Sequence, residues 1–469
     1  MASIFRNTFF VTLSQSWQMI MAVVMMPFAT RYLGVEGFGQ YNTATVIMFY
    51  VFLINDFGLN TWVTRELARQ KERTSEILSR AIAMKTMLIL PCFLFVLMYT
   101  LLTNYDATSY QAIWIFALYG VVDSFTQLGY AIFRSRERME LETIVAGLTK
   151  TLLTGLAILA LVSGWGLLAF SAMFLLSTFF SMSLSLYFVH SRFSPLRFSR
   201  EWPAGIDMLR KSAYFGLALL IASSYDKLDV LMLSWMKGME MVGLYSAPNK
   251  LLSFTHQIPT IFATAFFPQM ARFVADRLEL GRIVTTAIKY LVMLAVPMVA
   301  GIFMISDPLT VLVFGGSFTH SATALRIMAF ASALQFINIF MAGLYGATNH
   351  QNRILQIEIV ALVFKVAVNL YLIPHYGFLG AAISTVATEA LVCALALGWA
   401  LRRITRLSEW TFFGKIALST AGMAVMLWLL QGESLVVLIV AAILFYGVLL
   451  LLTRTVSLKQ LKTNLAQLR

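Results

Sequence analysis

The chain has 469 residues, 59% of them hydrophobic and 12% charged, with a formal net charge of +13. Soluble domains carry about 25% charged residues, so a soluble enzyme is excluded, and apolar runs that are continuous rather than alternating argue against a β-barrel. The lysines and arginines fall between the apolar runs, which is the pattern of positive loops on one membrane side and not of a nucleic-acid surface.

The chain opens with MASIFRNTFF, which holds one arginine and leads into an apolar run too long for a signal-peptide core. No small-x-small cleavage site follows, so it reads as a retained first helix. Apolar runs of spanning length recur at roughly 9–30, 41–62, 82–102, 111–133, 143–163, 167–189, 212–235, 243–266, 287–306, 322–346, 354–373, 378–401, 413–431 and 435–453. The predicted fold class is therefore an all-α polytopic membrane protein with about fourteen transmembrane helices. Loop charge alternates. One set of loops carries Arg65, Arg69, Arg73, Arg134, Arg136, Arg138, Arg272, Arg277, Arg402 and Arg403, whereas the other set carries little beyond Arg31 and Lys237. The positive-inside rule places the first set, and with it both termini, in the cytoplasm. The basic loop at about 191–210, containing Pro195 and Pro203, joins two halves.

The halves repeat. Gly34, Glu36, Gly39 and Tyr41 recur at the same spacing as Gly238, Glu240, Gly243 and Tyr245, and Trp165-Gly166 has its counterpart in Tyr376-Gly377. An even number of helices per copy makes the repeat parallel, a layout in which transporters bind substrate at the repeat interface. The expected organisation is an N-terminal lobe at 1–195, a C-terminal lobe at 196–408, each of six helices, and a helix pair with a tail at 409–469.

No Walker A loop, nucleophile elbow or H-E-x-x-H motif is present, so no catalytic residue, metal or cofactor is expected. Cys92 and Cys393 lie inside apolar runs and indicate neither a disulfide framework nor a thiolate metal site. The chemical signal is charge at membrane depth. Charged side chains there are costly and normally face protein or a water-filled cavity. Asp56 and Lys85 lie near span ends, where a charged head can snorkel. Asp123, Lys150, Asp226, Lys365 and Glu389 lie nearer mid-span. Asp226 and Asp229 share a helix face and suit a proton or cation, or pairing with Lys250 on the next helix. Lys150 and Lys365 lie at similar depths in the fifth and eleventh helices, which are repeat-related, and two ammonium groups facing one cavity suit a phosphate. The competing reading pairs them with Glu358, Glu389 or Asp123 as structural ties.

RYLGVEGFGQY, DFGLNTWVTRE, FGGSFTHSATALRI and NLYLIPHYGFLGAAISTV resemble the Wzx-like polysaccharide (O-antigen type) flippases of the multidrug/oligosaccharidyl-lipid/polysaccharide exporter superfamily. The resemblance covers nearly the whole chain. It implies two six-helix lobes around a central cavity, with extra C-terminal helices, in the bacterial inner membrane. It implies translocation of an undecaprenyl-diphosphate-linked oligosaccharide, with H+ or Na+ as coupling ion where there is one, and polymerase and chain-length proteins as pathway partners. Basic cavity residues would hold the diphosphate and sugar, with Lys150, Lys365, Arg31 and Lys250 as candidates. Asp226, Asp229, Asp123 and Glu389 are the candidates for coupling or gating. The alternatives are a cation-coupled multidrug exporter, a lipid II flippase, and, in another class, a membrane glycosyltransferase or polymerase. Enzymes of that last kind usually display a large charged outer loop, and the outer loops predicted here are all short.

Overall fold

A computed structural model describes residues 2–193, 202–404 and 410–455, with backbone alone at 2–5, 202–204, 218, 222, 226 and 410. These residues form fourteen α-helices and no strand, and ten helices are long and apolar enough to cross a membrane. The predicted loop at 191–210 and the C-terminal tail lie partly outside the described residues.

Every predicted span is helical, although the divisions differ. α1 (Ala2–Asp56) takes in the predicted span at 9–30 and most of that at 41–62, which a turn at Phe57 and Gly58 cuts short, and it breaks at Gly34, with φ 69° and ψ −174°. α12 (Gln351–Arg403) likewise joins two spans, broken at Gly377 with φ 57°. The predicted span at 243–266 is instead divided by a 3-10 turn at Phe254–His256 into α8 (Met239–Ser253) and α9 (Gln257–Arg272). α2 (Leu59–Arg69) is a short extra helix that buries Leu59, Trp62, Val63 and Leu67 on one side.

The repeat anchors share a backbone conformation as well as a sequence. Gly34 and Gly238 have φ 69° and 87°, and Gly166 and Gly377 have φ 76° and 57°. Side-chain-bearing residues rarely adopt this left-handed region, so glycine lets one helix end and the next begin without a loop.

The described chain divides into two compact units, Met1–Gly243 and Leu244–Arg469. The division falls later than the lobe boundary expected near 195, because α7 (Trp202–Lys237) packs with the helices before it. The first unit also holds α3 (Thr74–Leu102), α4 (Ala107–Ser135), α5 (Met139–Val162) and α6 (Gly166–Arg192). At its arginine-rich end, Leu67, Ile77, Leu128, Phe133, Val145 and Met208 form a buried core. Toward the other end Tyr41, 3% exposed, packs among Phe116, Phe170 and Phe174 with ring centroids 5.3–5.7 Å away.

The second unit contains α9, α10 (Arg277–Phe314), α11 (Ser321–Ala347), α12, α13 (Trp410–Leu429) and α14 (Leu435–Leu452). Val284, Ile288, Phe336, Phe340, Leu344 and Ala396 make its main core. The α13–α14 pair docks on α10 through Ile305, Met423, Leu438 and Tyr446, and the Tyr446 hydroxyl donates to the Met293 carbonyl at 2.8 Å. The opposite face of α14, with Ile443 and Leu444, is exposed, as suits a helix whose solvent is lipid.

Candidate transport cavity

Three helices of the first unit present polar stripes to one cavity of about 620 Å³. From α4 come Tyr119, Asp123, Gln127, Tyr130 and Arg134. Their spacing of three and four residues places them along one helix face, spanning about 22 Å at 1.5 Å per residue. α1 contributes Ser14, Gln15 and Gln18, and α5 contributes Glu142, Thr143, Thr149 and Lys150. The cavity thus runs from Arg134 and Glu142, which form an ion pair near the arginine-rich helix ends, to Asp123, Lys150 and Tyr119 deeper in. Trp17 beside it donates to the Thr151 hydroxyl at 3.0 Å, tying α1 to α5.

Of the candidates read from the sequence, Lys150 and Asp123 therefore meet in one cavity. Arg31 does not join them. It lies at the far end of the first half of α1, in a separate depression with Pro27, Phe28 and Tyr32. Lys250 sits in the last turn of α8. Lys365, at 2% exposure, is enclosed in the second unit. Asp229 is fully buried in α7, and the side chain of Asp226 lies outside the described residues. Glu389 is also enclosed, and both of its carboxylate oxygens are engaged. Gln335 Nε2 donates to Oε1 at 2.8 Å and Asn338 Nδ2 to Oε2 at 2.6 Å.

Asp56 and Lys85 do not snorkel. Lys85 Nζ meets Asp56 Oδ1 at 2.8 Å with 0% and 6% side-chain exposure. Asp56 also accepts from the Asn60 amide at 3.2 Å, and Asn55 Nδ2 donates to the Lys85 carbonyl at 2.9 Å. Burial without a cavity makes this pair a tie between α1 and α3. Near the opposite helix ends the Tyr105 hydroxyl donates to Ser234 Oγ at 2.9 Å, and the hydroxyls of Tyr99 and Tyr105 also lie 2.9 Å apart, joining α3 and α7.

Reading the sequence for charge missed the uncharged half of the cavity wall. Ser14, Gln15, Gln18, Gln127 and Thr149 are polar residues at helical spacing inside apolar runs, and that spacing was the available signal. Among the described residues, no group of three or more His, Cys, Asp or Glu side chains is placed to hold a metal ion.

A lipid II flippase MurJ family model matches residues 250–455. The chain is 23% identical over 237 residues to a probable low-salt glycan biosynthesis flippase of Haloferax volcanii, which covers 49% of this chain and 50% of that one. It thus spans about half the length of that relative. It is 22% identical over 426 residues to a putative O-antigen transporter of Shigella flexneri, covering 87% of this chain and all of that one. The fold is shared with a lipid II flippase MurJ structure in an inward closed conformation, at TM-score 0.78 and 13% identity, over 94% of this chain and 98% of that one. A polysaccharide biosynthesis protein family model matches residues 4–274, more than half of the sequence, and the chain belongs to that family.

Proposed function

We propose that the chain is a flippase carrying an undecaprenyl-diphosphate-linked oligosaccharide from the cytoplasmic to the outer leaflet of a bacterial inner membrane by alternating access, without covalent chemistry of its own. The observation that carries this reading is a polar cavity between helices of spanning length, with Lys150 and Asp123 in its wall. Charge at membrane depth faces either protein or a water-filled cavity, and where it lines a cavity it marks the path of something polar. The names of the relatives, flippase and O-antigen transporter, support the same reading. In it both termini are cytoplasmic, and polymerase and chain-length proteins act on the product.

Lys150 attracts the diphosphate, and a cation in a low-dielectric wall acts on phosphate more strongly than in bulk water. Lys365, enclosed here, takes part only in a state that uncovers it. Arg31 and Lys250 would contact the head at other stages of its crossing. Asp123, Asp226, Asp229 and Glu389 are the residues through which H+ or Na+ would couple or gate, and Glu389 would first have to release Gln335 and Asn338. A second reading, lipid II as the cargo, is favoured by the match over residues 250–455.

The test is accumulation of lipid-linked oligosaccharide in a strain deleted for its own flippase. The chain clears the accumulated lipid, Lys150→Arg still clears it, and Lys150→Ala loses clearance at unchanged abundance. Equal clearance by Lys150→Ala would remove the cation from the mechanism. Clearance of lipid II alone would select the second reading.

A further inference from the structure

The cavity of the first unit contains more hydrogen-bonding capacity than a diphosphate uses. Only Val11, Met139, Ala146 and Leu153 among its lining residues are aliphatic, whereas pockets for drug-like ligands are predominantly apolar. The wall also holds the carboxamides of Gln15, Gln18 and Gln127 and the ring of Tyr130, with Gln18 Nε2 donating to Ser14 Oγ at 3.1 Å. A carboxamide donates and accepts at once, as does each hydroxyl of a sugar, and a tyrosine adds an apolar face with a polar tip.

Thr149 sharpens the point. A threonine within a helix commonly back-bonds to the carbonyl four residues earlier. Thr143 and Thr151 of α5 do so at 3.0 and 2.9 Å. Thr149 Oγ1 is buried at the cavity wall and makes no hydrogen bond among the described residues. A buried hydroxyl left so has a cost that a ligand or water removes.

Charge narrows the ligand. The ionisable lining residues other than tyrosine are Asp123, Glu142, Arg134 and Lys150. Their formal charges cancel at neutral pH, so beyond the Lys150 ammonium assigned to the diphosphate the wall has no surplus cation for acidic sugars. We propose that this cavity reads the sugars of the cargo and selects a short oligosaccharide without net charge. The inference rests on the flippase reading above. A volume of about 620 Å³ lies within the range of roughly 300–1,000 Å³ found for specific small-ligand sites.

The test uses the full chain in a panel of flippase-deleted strains, some assembling neutral lipid-linked units and others units bearing uronic acids. Surface polysaccharide and membrane abundance of the chain are both measured. The unaltered chain restores neutral units at least about ten-fold better than acidic ones, the discrimination that mismatched polar groups in a site produce. Gln18→Ala, Gln127→Ala and the isosteric Thr149→Val each lower restoration of neutral units several-fold at unchanged abundance and change the ranking of units within the panel. Lys150→Ala lowers all units alike. Equal restoration of acidic and neutral units by the unaltered chain overturns the proposal. So does an unchanged ranking in all three polar variants, and in both cases the flippase reading stands. Restoration of no unit by a normally abundant chain overturns the flippase reading itself.

Discussion

Lys85 has no exposed side-chain surface, and its charge is tolerated because Asp56 meets it at 2.8 Å. Removing one partner of such a pair leaves an uncompensated buried charge and costs about 3–5 kcal/mol, while replacing both with apolar groups of like volume is often neutral. Lys85→Met and Asp56→Leu should therefore each lower the thermal midpoint of the purified chain by many degrees, and the double variant should recover most of the loss. Additive losses would show that the two residues act independently. Asp106 is a second case, outside the membrane-spanning helices. It caps α4 by accepting from the amides of Thr108 and Ser109 at 3.1 and 3.3 Å, and Gln40 of α1 donates to it at 3.1 Å. Burial pushes its carboxyl up, but hydrogen bonds from Ser109, Thr108 and Gln40 outweigh that effect and hold it below its ordinary value. A lowered value in the folded state means stabilisation that is present above the unfolded value of about 3.9 and lost as pH falls through the folded value. Asp106→Ala should cost about 1 kcal/mol at neutral pH, with the gap to the unaltered chain closing below about pH 4. A gap of constant size from pH 7 to pH 3 would show that the charge on Asp106 does not contribute.

The contact between α1 and α8 is a reciprocal one. A Cβ built on Gly39 would lie 1.8 Å from the Met239 carbonyl oxygen, and one built on Gly243 would lie 2.0 Å from that of Val35. Val35 and Met239 hold the same place in the repeat, as do Gly39 and Gly243, so each segment offers the same carbonyl and the same glycine. This is the self-complementary form that a two-fold axis imposes on an interface, here inside one chain. A second backbone crossing lies near the arginine-rich end. There a Cβ on Gly58 would meet the Ser212 carbonyl oxygen at 2.5 Å, and one on Gly216 would meet the Phe57 carbonyl oxygen at 2.8 Å. Gly39→Ala or Gly243→Ala should push the first crossing apart, whereas Gly155→Ala, with nothing within 4 Å, should be tolerated. The thermal midpoint of the purified chain should fall by several degrees in either variant and stay unchanged in Gly155→Ala. An unchanged midpoint in Gly39→Ala would mean that the helices accommodate the side chain without separating. The glycine repeat was legible in the sequence, but the meeting of the two copies was not, since spacing along a chain does not say which helices touch. The same holds for Asp56 and Lys85, whose place near span ends was readable and whose burial and partnership required the packing of α1 on α3. Asp123 and Lys150 stood out as charges in apolar runs. Gln18 and Thr149 did not, because one uncharged polar residue changes the hydropathy of a span very little.

Charge and connection length together point to one orientation across a membrane. Arg69, Arg73, Arg134, Arg136 and Arg138 in the first unit, and Arg272 and Arg277 in the second, lie at helix ends or in the connections between helices. Alternating with them along the chain are connections that include tight turns built on Gly34, Gly164, Gly238, Gly315 and Gly377, all with positive φ. Tight turns with few basic residues, here Arg31 and Lys237 alone beside them, are the segments most easily carried across a membrane, while lysine and arginine in short loops are retained on the cytoplasmic side. The two native thiols, Cys92 and Cys393, are buried, so single introduced cysteines can report which side each loop faces. Exposed positions suit the test at Glu72, Glu137 and Ala275 near the arginine-rich ends, and at Trp165 and Ser317 near the others. A membrane-impermeant maleimide should label Trp165→Cys and Ser317→Cys in intact spheroplasts, and Glu72→Cys, Glu137→Cys and Ala275→Cys only after permeabilisation. The reverse pattern would invert the orientation, placing the mouth of the cavity at Arg134 and Glu142 on the outer face. That outcome would contradict loading from the cytoplasmic leaflet. The proposed flippase reading, in which cargo is loaded where it is synthesised, needs the arginine-rich ends inside, and the labelling pattern decides whether the chain has them there.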